Sequence, residues 1–105
     1  MRLTILGGGN MGGAILRALV KTEAVPAEDI LLIEPEEAKR QNLGKATGCV
    51  TKAEIDETVR RYELILLAVK PQTATPAMEL LAQWLLPHQV VISVMAGISL
   101  QTMRG

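Results

Sequence analysis

A doubly wound α/β fold with a parallel sheet is the class this sequence predicts, and three observations point to it. Residues 2–6, 30–33, 64–69 and 90–94 are short, mostly apolar and β-favouring runs, continuous in 30–33 and 64–69, as strands covered by helices on both faces should be. Segments of helical period lie between these runs. A glycine-rich turn, Gly7-Gly8-Gly9-Asn10-Met11-Gly12, joins the first run to the first helical segment. Strands alternating with helices imply right-handed crossovers. The nucleotide-binding arrangement of such units gives five strands in the order 3-2-1-4-5, one short of the full six, with helices on both faces.

Taken in order, residues 2–6 read as a buried first strand. The glycines follow with the spacing Gly7-x-Gly9-x-x-Gly12, and each has a physical task. Gly7 lets the chain turn sharply, Gly9 lets backbone come close to a pyrophosphate, and Gly12 lets the next helix lie tight on the strand. Met11, Ala14, Ile15, Ala18 and Leu19 then recur at helical spacing. The N–H groups and the positive dipole end of that helix face whatever sits over the glycines, which suits an anion.

Polar residues 21–29 read as a surface connection, and Ile30–Ile33 as the second strand. Pro35 suits the opening of a helix and Gly44 its stop. Gly48-Cys49-Val50 reads as a short third strand. Thr51 to Glu54 has the spacing of a capping box, which predicts a helix with Ile55 and Val59 facing inward. Residues 64–69 carry the strongest strand signal. After them Pro76 is expected to open a helix through Ala77, Leu80, Leu81, Trp84 and Leu85, with residues 71–74 as an irregular turn. Residues 90–94 form the fifth strand, and Ser99 suits the cap of a further helix.

Composition narrows the functions. With 105 residues, 49% of them apolar, the chain has room for one domain over 1–105 with a core of Leu, Ile, Val, Ala and Met. Eleven basic residues balance eleven acidic ones, and no basic cluster with interleaved aromatics occurs, which argues against a nucleic-acid partner. The single Cys49 allows no intrachain disulfide and reads as a buried structural thiol in a reducing compartment. No apolar run has the length of a membrane span and no leader precedes the first strand, so a soluble cytoplasmic protein is expected. No metal site is expected.

In a sheet of this order a ligand lies over the C-terminal strand ends where the order reverses, between the first and fourth strands. The glycine loop and Ala68-Val69-Lys70-Pro71 then stand on two sides of one crevice. Glu34 ends the second strand, where a carboxylate can accept hydrogen bonds from both ribose hydroxyls and so select NAD. It would also oppose the extra phosphate of NADP by about 4 kcal/mol per charge pair at 4 Å and an effective dielectric near 20. The second reading of Glu34 is that it complements the N-terminus of the next helix. Lys39 and Arg40 lie close enough in sequence to answer a phosphate. Lys70 reads as a phosphate contact or a solvated surface lysine rather than as the acid, since nothing in the sequence marks it as a proton donor, and no residue is assigned that role.

Three stretches together resemble the pyrroline-5-carboxylate reductases: Gly7-Gly8-Gly9-Asn10-Met11-Gly12-Gly13-Ala14-Ile15, then Ala68-Val69-Lys70-Pro71-Gln72, then Ile92-Ser93-Val94-Met95-Ala96-Gly97-Ile98. They stand in family order at about family spacing, and the Asn-Met and Val-Lys-Pro-Gln pairs are more specific than the glycines. The resemblance implies a Rossmann domain that binds NADP or NAD, NADPH being favoured by most members. It places Val69, Lys70 and Pro71 beside the nicotinamide half, with Ala96 and Gly97 closing against the ring. The implied reaction is hydride transfer to the C=N carbon of 1-pyrroline-5-carboxylate, giving proline. The family's helical C-terminal domain, which builds the substrate pocket and the dimer, is not in this sequence, so a fragment or a truncated relative with little turnover alone is expected. Two other classes remain: the cofactor domain of a related reductase, such as the F420-dependent NADP reductases or 3-hydroxyacid dehydrogenases, and a non-enzymatic nucleotide-binding module. An open fifth strand, apolar on both faces, implies a homo-oligomer.

Overall fold

The apolar runs become strands in a computed structural model that describes residues 1–94. Ala96, Gly97 and the helix expected from Ser99 lie outside the described residues. Strands β1 (Leu3–Leu6), β2 (Ile30–Ile33), β3 (Val50–Lys52), β4 (Leu64–Leu67) and β5 (Val90–Ser93) form one parallel sheet in the order β3-β2-β1-β4-β5, as predicted. Register is set at the centre, where Leu3 pairs with both Ile30 and Leu64. Because successive side chains point to opposite faces, each strand feeds two cores. Leu3, Ile5, Ile30, Leu32 and Leu66 pack on one face with Leu16 of helix α1 (Asn10–Lys21) and Leu43 of helix α2 (Glu37–Thr47). Leu6, Leu31, Ile33, Ile65 and Leu67 pack on the other face under Leu81 of helix α3 (Pro71–Ala82) and Val59 of a 3-10 turn, Glu57–Arg61.

The helices depart from expectation in instructive ways. The buried side of α1 is Gly12, Gly13 and Leu16, with Ile15, Leu19 and Val20 partly covered, while Ala14 and Ala18 are exposed. The helix lies on its glycines because they allow its backbone closest to the sheet. Helix α2 starts at Glu37 rather than at Pro35, and it runs past Gly44 to end at Gly48, whose φ of 79° is the left-handed conformation a helix stop uses. It buries only Leu43, a residue whose burial is worth about 2 kcal/mol.

The capping-box reading of Thr51 to Glu54 is overturned. Thr51 and Lys52 belong to β3, paired with Leu32 and Ile33, and the sheet bonds outcompete a local cap. The cap falls instead on Asp56, whose Oδ1 accepts from the Thr58 N–H at 2.9 Å while Oδ2 accepts from Lys52 Nζ at 2.7 Å. Those bonds to Lys52 and Thr58 hold its carboxyl down at about 2. Pro71, not Pro76, opens α3, leaving Pro76 inside the helix. Leu80, expected in the core, is exposed, whereas Ala74, Ala77 and Leu81 are buried. Gln89 ties this side together, its Nε2 donating to the carbonyls of Val59 and Tyr62 and its Oε1 accepting from the Leu86 N–H. Cys49 is buried as expected, and burial pushes its thiol pKa up.

Helix α1 ends in a Schellman motif. The Ala24 N–H donates to Leu19 O and the Glu23 N–H to Val20 O, which places Glu23 at the left-handed position with φ 59°. Glycine serves that conformation without a Cβ clash, although it also loosens the unfolded chain. Glu23→Gly should therefore stabilise the domain by about 0.5–1 kcal/mol, read as a higher urea midpoint at unchanged slope.

Candidate functional site

The glycines of the β1–α1 turn divide into two kinds. Gly7 has φ 103°, and a Cβ there would sit 2.6 Å from the Ala68 carbonyl oxygen. A Cβ on Gly12 would overlap the carbonyl oxygen of Gly7. Both are demanded by the protein's own backbone, one by the turn and one by the approach of α1. Gly9 differs: its φ is −73° and no protein atom lies within 4 Å of where a Cβ would be. No packing within the described structure requires glycine at that position, and the space over it is open.

That space lies at the start of α1. Gly9 caps the helix without a side-chain hydrogen bond, and the first intrahelical bond is Gly13 N–H to Gly9 O at 2.8 Å. The leading N–H groups of α1 thus face the opening with the positive end of the helix dipole. Across the crevice, the Ala68 N–H donates to Leu6 O at 2.9 Å, holding the end of β4 beside the end of β1. Helix α3 begins there too, capped by Lys70, whose side chain is exposed. The glycine loop and the segment Ala68-Val69-Lys70 therefore flank the point where the strand order reverses. Ala96 and Gly97 fall outside the described residues.

Glu34 is buried at the C-terminal end of β2. Its Oε1 accepts from the Gly8 N–H at 2.7 Å and its Oε2 from the Glu36 N–H at 2.7 Å. The second bond matches the reading in which Glu34 serves the next helix, since Glu36 is the N-cap of α2. The first was not legible, because it joins residues 26 apart. Arg40 turns back, donating from Nη1 to Glu34 O at 3.0 Å.

Between α1 and α2 the loop opens into a cleft of about 240 Å³, bordered by Gly8, Gly9, Asn10, Arg17, Lys39 and Leu43. Its remaining lining is Gly13, Ala14 and Asn42, so it holds two cationic side chains and no carboxylate. Leu43 forms its apolar floor, with Cδ1 3.0 Å from a Cβ position on Gly8. Sequence reasoning named Lys39 but missed Arg17. The signal was available: Asn10, Ala14 and Arg17 fall at helical spacing on one exposed side of α1, flanking the buried Gly13. Among the described residues no group of three or more His, Cys, Asp or Glu side chains is placed to hold a metal.

A dinucleotide fits these features. Gly9 leaves room for a pyrophosphate, the N-terminus of α1 supplies donors, and the cleft has an apolar floor with polar walls. Comparison with known proteins agrees with the sequence resemblance. A pyrroline-5-carboxylate reductase of Synechocystis is 36% identical over 104 residues, covering 99% of this chain and 39% of the relative. The structure of a pyrroline-5-carboxylate reductase from Coxiella burnetii superposes with a TM-score of 0.83 at 24% identity, covering 98% of this chain and 38% of that one. The Plasmodium falciparum pyrroline carboxylate reductase, solved with NADP bound, gives 0.76 at 21% identity over 99% of this chain and 37% of that one. The chain thus spans about two fifths of the length of the relatives it matches. Residues 2–97 match the family described as NADP oxidoreductase, coenzyme F420-dependent, and the chain belongs to that family.

Proposed function

We propose that this chain is the cofactor-binding unit of a reductase that converts 1-pyrroline-5-carboxylate to proline, working in the cytoplasm. Bound NAD(P)H supplies the hydride, which forms a new C–H bond at the imine carbon while the C=N bond becomes a single bond and its nitrogen takes a proton. Gly7, Gly8, Gly9, Asn10, Met11 and Gly12 hold the pyrophosphate. Ala68, Val69, Lys70 and Pro71, with Ala96 and Gly97, border the nicotinamide. Support for cofactor binding comes from Gly9, the one glycine of the turn whose missing side chain leaves empty space rather than room for protein. Support for the substrate comes from the relatives similar along almost the whole chain.

Gly9→Val tests the cofactor reading. Its Cβ has open space, so the loss of stability should be limited to the N-cap penalty of about 1 kcal/mol, while affinity for NADPH and NADH falls at least tenfold, about 1.4 kcal/mol. Unchanged affinity in a folded variant would place the ligand elsewhere. Joined to the remaining part of the Synechocystis reductase, the chain should support NAD(P)H oxidation that depends on 1-pyrroline-5-carboxylate. A folded fusion that binds cofactor without turnover favours a related reductase or a non-enzymatic module instead.

Self-association belongs to the same proposal. Strand β5 is the outermost strand on its side of the described sheet, and Val90 and Ile92 are 55% and 39% exposed along it. A free strand edge with apolar side chains favours pairing with a second copy in two-fold symmetry. Sedimentation velocity over a hundredfold concentration range should show a dimer growing in; a monomer throughout counts against it.

A further inference from the structure

We infer that the first turn of α3, residues 71–75, is a strap that hinges at Pro76 and closes over the nicotinamide end of a bound dinucleotide. The inference goes beyond the cofactor-binding reading and rests on it, because that reading sets Lys70 and Pro71 beside the nicotinamide. Helix α3 is anchored unequally at its two ends. At the end far from the crevice, Arg60 Nε donates to Trp84 O at 2.7 Å, and the guanidinium lies 5.7 Å from the Trp84 ring centroid. Leu81 is fully buried there, and the Leu85 N–H donates to its carbonyl at 3.0 Å. Gln89 then ties the loop after the helix to the carbonyls of Val59 and Tyr62. That end is therefore joined to the 3-10 turn Glu57–Arg61 by side chains from both partners.

The end beside the crevice has little of this. Lys70 caps α3 without a side-chain bond, and its one carbonyl takes the N–H groups of both Thr73, at 2.8 Å, and Ala74, at 3.1 Å. Of residues 72–75 only Ala74 is buried, so a single methyl group holds this turn to the core. Pro76 has no N–H to give Gln72 O, which removes one rung of the ladder joining the turn to the rest of the helix. Helices bend at such prolines. Segments with few buried contacts and solvent-exposed backbone bonds open well below the free energy of global unfolding, and moving parts over ligands are drawn from them. A dinucleotide whose nicotinamide end reaches residues 70–71 touches the strap only when it is closed, so binding shifts it to that form.

Amide hydrogen exchange followed by NMR tests the strap, with two probes: NADPH, and the same molecule without its nicotinamide ring, 2′-phospho-ADP-ribose. In the free chain, protection factors at Thr73, Ala74 and Thr75 should lie at least tenfold below those at Leu80, Leu81 and Ala82. At matched occupancy both probes stabilise the whole fold alike, so protection at 80–82 should be the same with each. At 73–75 it should be at least tenfold higher with NADPH than with the truncated probe. Pro76→Ala restores the missing N–H in a good helix former, and should raise protection at 73–75 in the free chain at least threefold. Equal protection of the two ends in the free chain, equal protection of 73–75 by the two probes, or no response to Pro76→Ala would overturn the strap while leaving the nucleotide site standing. If neither probe binds the folded chain, the cofactor-binding reading fails first and takes this one with it.

Discussion

One buried carboxylate holds the working end of this domain in register. Glu34 connects three segments that sequence keeps apart: the end of β2, the glycine loop after β1 and the N-cap of α2. Charge-assisted bonds of this kind are roughly twice as strong as neutral ones, and removing one partner leaves a buried group unsatisfied. The two walls of the cleft, α1 and α2, start beside backbone N–H groups that donate to this one carboxylate. Leu43 adds the apolar part of the joint, packing where Gly8 and Gly13 leave room.

Much of the fold was readable because the strands are covered on both faces. Such strands are apolar at nearly every position, the buried Thr4 of β1 being an exception, and Ile30–Ile33 emerges with its predicted bounds. Helix ends were read less well, since their signals are local and tertiary pairing overrides them. Thr51 and Lys52 show this, as a four-residue capping pattern lost to pairing with Leu32 and Ile33. Pro76 shows the converse, a helix breaker tolerated because Ala74, Ala77 and Leu81 anchor the helix around it.

The site was legible to the extent that chemistry and backbone geometry coincide. Gly7 and Gly12 carry constraints internal to the chain, and the spacing of the motif encodes them. Gly9 carries no such internal constraint, since a Cβ there would meet open space, and the spacing alone does not separate the two cases. The double engagement of Glu34 could not be read from sequence, because nothing local to residues 34–36 announces the N–H of Gly8. Arg17 was hidden for another reason: an exposed arginine beside the apolar stripe of a helix reads as solvated surface until α2 is placed against it.

The buried thiol of Cys49 gives the domain an internal clock for its own breathing. It packs in the core cluster with Leu43, the one buried residue of α2, just ahead of β3 at the sheet margin. Burial raises its pKa and shields it, so an alkylating reagent reacts faster when this margin opens. The labelling rate therefore reports local unfolding of the α2–β3 corner, separately from global unfolding. A ligand bridging α1 and α2 would slow that rate without touching the sulfur.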